Sequence, residues 1–136
     1  MVDLNNPGND TAQAGSVLDA AAMAELRALD PDGRGQLVKR VLSTYQASLA
    51  RLMAQLAQAR VETAWDQVSR VAHTLKSSSA SIGALAFSAA CAEVERLLRA
   101  GEQAQADAML DRFTAEAARV EVAVRQALEQ LEAAQT

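Results

Sequence analysis

The sequence predicts an all-α protein, an antiparallel up-down four-helix bundle with a short extra N-terminal helix. Half of the residues are hydrophobic but only 3% are aromatic, and alanine and leucine, which are good helix formers, provide most of the apolar surface. Apolar residues recur at steps of three and four along four long segments, as expected of amphipathic helices. Both prolines, Pro7 and Pro31, lie early, so neither interrupts these segments. One-sided helices with short connections bury their apolar faces together most simply as a bundle.

The predicted helices follow one another with brief breaks. A short helix spans residues 19–29 and ends at the Asp-Pro-Asp-Gly turn that starts at Asp30, because proline and glycine both favour a turn there. Gly83 and Gly101 mark two further breaks. The four long helices are predicted over residues 36–59, 62–81, 84–99 and 105–131.

The N-terminal segment differs in composition from the rest of the chain. Residues 1–15 are polar and rich in turn-forming residues, as in the run from Asn5 to Asp10. Such a segment has too little apolar surface to form a packed core. We therefore expect residues 1–15 to be a flexible tail or linker and residues 16–136 to form the domain.

Charge and composition narrow the class of protein. The net charge of −4 disfavours a nucleic-acid partner, and no apolar run reaches the roughly 20 residues of a membrane span. The N-terminus lacks the pattern of a signal peptide, and the single cysteine excludes an internal disulfide, which fits a reducing compartment. Cys91 shares an apolar stripe with Phe87 and Val94, which indicates a buried side chain rather than a reactive thiol. We expect a monomeric, cytoplasmic protein without a nucleic-acid or membrane partner.

His73 is the only histidine, and helix geometry places it away from the core. With Val68 at zero and a step of about 100 degrees per residue, apolar positions such as Val71 and Leu75 lie within roughly 40 degrees of zero. His73 falls near about 140 degrees on the same wheel. The imidazole is therefore expected to face solvent or a partner.

The neighbours of His73 favour a carrier of a negatively charged group. A free imidazole titrates close to neutral pH, so its nucleophilic neutral form is well populated. Lys76, three residues further on the same face, would stabilise anionic oxygens bound to the ring. Small side chains nearby leave room for the active site of another protein. The candidate partner-binding residues on this face are Ser69, Arg70, Ser77 and Ala80.

Other kinds of chemistry find little support in the sequence. No acidic residue is obviously placed to orient the imidazole, and no second histidine or cysteine lies near enough to complete a metal site. Asp30, Asp32 and Gly33 resemble part of a calcium loop, but the remaining ligands are missing, so a turn is the better interpretation. We predict no metal ion bound by this chain.

One motif resembles a known family. The pattern His-x-x-Lys at residues 73–76, followed by small residues and then Gly-Ala from Gly83, resembles the signature of histidine-containing phosphotransfer (HPt) domains. The preceding amphipathic helix and the turn at Asp30 are also similar to that family. The resemblance covers about residues 16–131 and implies a four-helix bundle.

The resemblance implies a phosphoryl carrier rather than an enzyme. His73 would accept a phosphoryl group from a phospho-aspartate on a receiver domain and pass it to another receiver, and Lys76 would neutralise the group. Gly83 would match the glycine after the active helix. The receiver would supply the aspartate and Mg²⁺, so this chain would bind no cofactor. Ser77 departs from the family, which often has glycine directly after the lysine.

Two hypotheses remain open on the sequence alone. The alternative is a non-catalytic helical-bundle adaptor that binds receiver or kinase partners, with no chemical role for His73. A histidine kinase is disfavoured because the chain lacks an ATP-binding domain with its glycine-rich loops. Residues 77–79 favour clearance for a docking partner over a serine phosphorylation site.

Overall fold

The computed structural model describes residues 17–30 and 32–135. The prediction of a flexible tail over residues 1–15 lies outside these described residues. Within them the chain forms helices and no strand. The helices are α1 (Ala20–Ala28), α2 (Gln36–Val61), α3 (Trp65–Ser81), α4 (Leu85–Arg99) and α5 (Gln103–Gln135).

The helices α2 to α5 form the bundle. Each long helix packs against the next one along the chain, and α5 closes the ring by packing on α2. Links of three residues join these helices, and such short links make sequential helices antiparallel neighbours. The short helix α1 packs on α2. The predicted fold class is confirmed.

The interior is filled by the apolar side chains that recur every three or four residues. Phe87 of α4 and Phe113 of α5 are fully buried, with ring centroids 4.9 Å apart and planes inclined at 59°. Cys91, four residues after Phe87 on α4, is also buried, and burial raises the pKa of its thiol to about 12. The expectation of a buried cysteine is confirmed. The α3 residues in this core are Val68, Val71, Ala72 and Leu75.

The same turn ends α2, α3 and α4. The middle residue of each link has a left-handed backbone, with φ of 50° at Thr63, 84° at Gly83 and 77° at Gly101. The following residue donates its N–H to a carbonyl five residues back, as Ala84 does to Ser79 at 2.8 Å. This Schellman geometry satisfies carbonyls that the helix end leaves unpaired. Glycine adopts it readily, whereas a β-branched threonine does so at a cost.

The predicted start of the third helix and both predicted ends of the last helix are wrong. The sequence predicts the third helix from residue 62, but α3 begins at Trp65 because Glu62 still caps α2 and Thr63 forms the left-handed turn. No glycine or proline marks this turn, so the apolar pattern extends the helix too far. The last helix is longer than predicted at both ends and spans Gln103–Gln135.

The short helix α1 is attached to the turn between α3 and α4. Asp19 caps α1 by accepting a hydrogen bond from the Ala22 N–H at 3.0 Å, and its own N–H donates to the Gly83 carbonyl at 2.7 Å. A Cβ on Gly83 would lie 2.9 Å from the Asp19 nitrogen. Leu18 and Met23, which lie one residue before and four residues after Asp19, have buried side chains. Gly83 therefore ends α3 and also allows α1 to approach closely.

Candidate functional site

His73 lies on the outer surface of α3. Its side chain is 67% exposed, whereas Ala72 beside it and Leu75 are fully buried. This exposed position is the one that the helical wheel predicts. The ring is thus accessible to another protein while its helix remains anchored in the core.

A buried carboxylate contacts the histidine from α4. Glu95 is only 5% exposed, and its Oε2 lies 2.8 Å from Nδ1 of His73. The two residues are 22 positions apart in the chain, and the packing of α3 on α4 brings them together. A charged side chain is rarely buried without partners, so the contacts of this carboxylate determine its state.

Two cations share the Glu95 carboxylate with His73. The Lys76 Nζ lies 2.7 Å from Oε1. This distance is that of an ion pair, but the contact does not have the angles of a hydrogen bond. A guanidinium nitrogen of Arg99 lies 3.9 Å from Oε2, the oxygen that also contacts His73. The site therefore contains one buried negative charge with two positive charges at its edge.

Glu95 is held in its ionised form. Burial by itself raises the pKa of this carboxyl, but the contacts with Lys76 and His73 outweigh burial, so the pKa lies below its ordinary value. An ionised carboxylate accepts hydrogen bonds and donates none. In the neutral ring, Nδ1 of His73 therefore carries the proton and donates a hydrogen bond to Oε2, which leaves Nε2 unprotonated. The exposed edge of the ring presents a nucleophilic nitrogen.

Glu95 contradicts the expectation that no acidic residue orients the imidazole. The sequence contains a partial signal, because Glu95 follows the buried Cys91 by four residues and so lies on the apolar side of α4. A charged residue at such a position requires partners. The pattern does not indicate which residue of α3 meets it, since that depends on how the two helices are rotated against each other.

The predicted partner-binding residues surround His73 on α3. Arg70, Ser77 and Ala80 are exposed, and Ser69 is half-buried. Their spacing places them on one side of the helix, one or two turns from the histidine. This side of the helix is accessible to a partner.

Ser79 does not belong to this exposed surface. It is fully buried, and its hydroxyl lies 2.7 Å from the hydroxyl of Tyr45 on α2. Burial raises the pKa of Tyr45 to about 12, so the phenol stays neutral and pairs with the serine. Ser78 is half-buried and donates to the Thr74 carbonyl at 3.2 Å. Only Ser77 among residues 77–79 is exposed.

The neighbouring helix α4 extends the surface around His73. Leu85 is 51% exposed, Ala92 is exposed, and Ser88 donates a hydrogen bond to the Lys76 carbonyl at 2.8 Å. Steps of three and four residues place these side chains on the same side of α4 as Glu95. We call the exposed surface of both helices around His73 the α3–α4 face. It is cationic near Glu95 and small and apolar towards Leu85.

The part of the chain that the structure describes contains neither a cluster of metal ligands nor a helix that could span a membrane. No group of three His, Cys, Asp or Glu side chains among residues 17–30 and 32–135 could hold a metal ion. None of the helices described has an apolar stretch of the length that a bilayer requires.

Comparison with known families agrees with this geometry. The family model of the Hpt domain matches residues 40–134, more than half of the chain, and this range contains His73, Lys76 and Glu95. No curated protein and no solved structure matches the chain in the corresponding comparisons. The all-helical bundle, the exposed histidine and the family match lead to one conclusion. The chain belongs to the Hpt domain family, whose members act in histidine phosphotransfer of two-component phosphorelays.

Proposed function

We propose that this chain accepts a phosphoryl group on His73 from the phospho-aspartate of a receiver domain and passes it to another receiver. Membership of the Hpt domain family supports histidine phosphotransfer as the class of activity. The observation that supports His73 as the phosphoryl acceptor is its contact with Glu95. Nδ1 lies 2.8 Å from the Glu95 Oε2, and the rest of the imidazole ring is exposed. Nε2 is the proposed nucleophile.

The proposed transfer step needs no proton to leave Nε2. The Nε2 lone pair attacks phosphorus while the bond from phosphorus to the aspartate oxygen breaks, and the electrons of that bond restore the aspartate carboxylate. The ring keeps the proton on Nδ1 and becomes positively charged. The Glu95 carboxylate, 2.8 Å away, stabilises this charge as it develops. Transfer to the second receiver is the reverse of these events.

Lys76 is the proposed electrostatic partner of the phosphoryl group. It lies three residues after His73, on the same side of α3, and its Nζ already contacts Glu95 at 2.7 Å. An ammonium in this position neutralises part of the roughly two negative charges that the phosphoryl group brings. Its helix position and its contact with Glu95 together keep it beside the ring.

The proposed partner is a receiver domain that docks on the α3–α4 face. Ser77, Ala80 and Ala92 present small side chains beside the histidine, and Leu85 offers an apolar contact at the end of the face. Ser69 and Arg70 border the other side. The receiver is expected to bind Mg²⁺, with no cofactor on this chain. The proposal also includes a monomeric state and a cytoplasmic location, which a lone buried cysteine suits.

Transfer from labelled receiver domains tests the proposal. Purified receivers carrying ³²P on their aspartate are mixed with the protein and Mg²⁺, and label is followed by gel electrophoresis. We expect base-stable, acid-labile label on the wild type and none on His73→Gln. Label that never appears on the wild type, with equal receiver binding by both proteins, would instead support the adaptor function.

The two lysines of the chain provide a matched test of Lys76. Lys39 also pairs with a glutamate, Glu132, at 3.2 Å, and both lysine side chains are 35% exposed. Lys76→Ala should slow transfer about tenfold, which corresponds to about 1.4 kcal/mol of barrier, while Lys39→Ala leaves it unchanged. Equal rates for the two variants would show that Lys76 has no electrostatic part in transfer.

A further inference from the structure

Arg99 is the least constrained group at the His73 site. Its guanidinium lies 3.9 Å from Glu95 Oε2, the same oxygen that accepts the hydrogen bond from His73 Nδ1. The side chain is 74% exposed, and Glu95 is its only ion-pair partner within the described residues. A cation that shares an oxygen with the histidine ring, and is otherwise in solvent, can move to a new anion beside that ring.

Phosphorylation of His73 adds negative charge to a site that carries a net positive charge. Before phosphorylation, Glu95 contributes one negative charge against the positive charges of Lys76 and Arg99. A phosphoryl group adds roughly two negative charges next to them. Lys76 is held by a 2.7 Å contact with a buried carboxylate, whereas the longer Arg99 contact is weaker and more accessible to water.

We infer that Arg99 is a second phosphoryl-binding cation, which leaves Glu95 when His73 is phosphorylated and pairs with the phosphoryl oxygens on Nε2. The inference rests on the proposed function. Guanidinium groups form charge-assisted, often paired hydrogen bonds with phosphoryl oxygens. Such a contact stabilises the phosphorylated state and covers phosphorus from water, so Arg99 lengthens the lifetime of phosphohistidine between donor and acceptor.

Chemical phosphorylation tests Arg99 without any receiver. Phosphoramidate transfers its phosphoryl group to Nε2 of His73 as its own phosphorus–nitrogen bond breaks and ammonia leaves. The labelled protein is separated from reagent, and the decay of phosphohistidine is followed by ³¹P NMR. Arg99→Gln should shorten the half-life about two- to fivefold, the range expected for one exposed ion pair. Arg99→Lys should restore part of the loss.

Arg96 provides the matched control. It lies on the same helix with its side chain 60% exposed, but it pairs with Glu93 at 2.6 Å and not with Glu95. Arg96→Gln should keep the wild-type half-life. In the wild type, the guanidinium N–H resonance of Arg99 should shift on phosphorylation while that of Arg96 stays in place, a response that a merely structural role would not produce.

The outcomes separate this inference from the proposed function. An Arg99→Gln half-life equal to the wild type, or an equal loss in Arg96→Gln, would overturn the role of Arg99 even if receivers label His73. Failure of phosphoramidate to label His73 would overturn it as well, because the inference requires an accessible Nε2. Successful chemical labelling with the expected half-lives, but no label from any receiver, would support Arg99 and refute only the relay.

Discussion

Replacing Glu95 with glutamine isolates the charge of the carboxylate beneath His73. The two side chains have nearly the same shape, so Glu95→Gln preserves the packing of a residue that is only 5% exposed. The amide oxygen can still accept a hydrogen bond from Nδ1, but it offers a neutral partner to the ring. The variant therefore removes the charge that stabilises a positive imidazole and leaves the geometry in place.

The expected loss of transfer rate follows from the strength of that hydrogen bond. Bonds to a charged partner contribute about 1.5–3 kcal/mol and neutral ones about 0.5–1.5 kcal/mol, so the exchange removes roughly 1–1.5 kcal/mol. The ring gains positive charge as the bond to phosphorus forms, and most of this difference falls on the barrier. We expect Glu95→Gln to slow transfer about five- to tenfold.

The difference in free energy of unfolding between the wild type and Glu95→Gln should depend on pH. The pKa of Glu95 is lowered in the folded protein by Lys76 and His73 against the effect of burial. A lowered pKa contributes stability above the unfolded pKa of about 4.3, and this contribution is lost as pH falls through the folded value. Glu95→Gln should therefore be less stable than the wild type by about 1 kcal/mol at pH 7, with the difference shrinking below about pH 4.

Rapid-quench transfer assays and thermal unfolding at several pH values measure both effects. Glu93→Gln is the control, because Glu93 lies on the same helix and pairs with the exposed Arg96 away from His73. ¹⁵N NMR of His73 should show Nδ1 protonated and Nε2 bare in the wild type. The reasoning is refuted if Glu95→Gln transfers within about twofold of the wild type, or if the neutral ring carries its proton on Nε2.

Three further substitutions test the turns and the buried polar pair by urea unfolding. Thr63→Gly should stabilise by about 0.5–1 kcal/mol, because it relieves a left-handed β-branched residue; a lower midpoint would contradict this. Gly83→Ala should destabilise by about 2 kcal/mol or more, clearly beyond Gly101→Ala, since only at Gly83 does a Cβ meet backbone at 2.9 Å. Tyr45→Phe should destabilise by about 1–3 kcal/mol, because the buried Ser79 hydroxyl loses its partner; an unchanged midpoint would argue against that bond.

The helices and the exposure of His73 follow from local pattern. Val68 and Leu75 recur with the helical period and are buried, and His73 lies well off their stripe on the helical wheel, so it faces outward. The boundary at Thr63 could not be predicted in this way, because its left-handed turn carries neither glycine nor proline. The sequence pattern likewise does not separate the buried Ser79 from the exposed Ser77, since small polar residues leave the width of an apolar stripe undefined.

The sequence by itself determined the order of the helices in the described part of the chain, their antiparallel arrangement and the exposed histidine with Lys76 one turn away. These features depend on a periodicity within each helix and on short links between helices. Only the tertiary structure decided that Glu95 lies beneath His73 and that Arg99 shares its oxygen. Helices pack with a rotation and an offset that the interlocking side chains of both partners set jointly, so no single helix pattern contains the pairing.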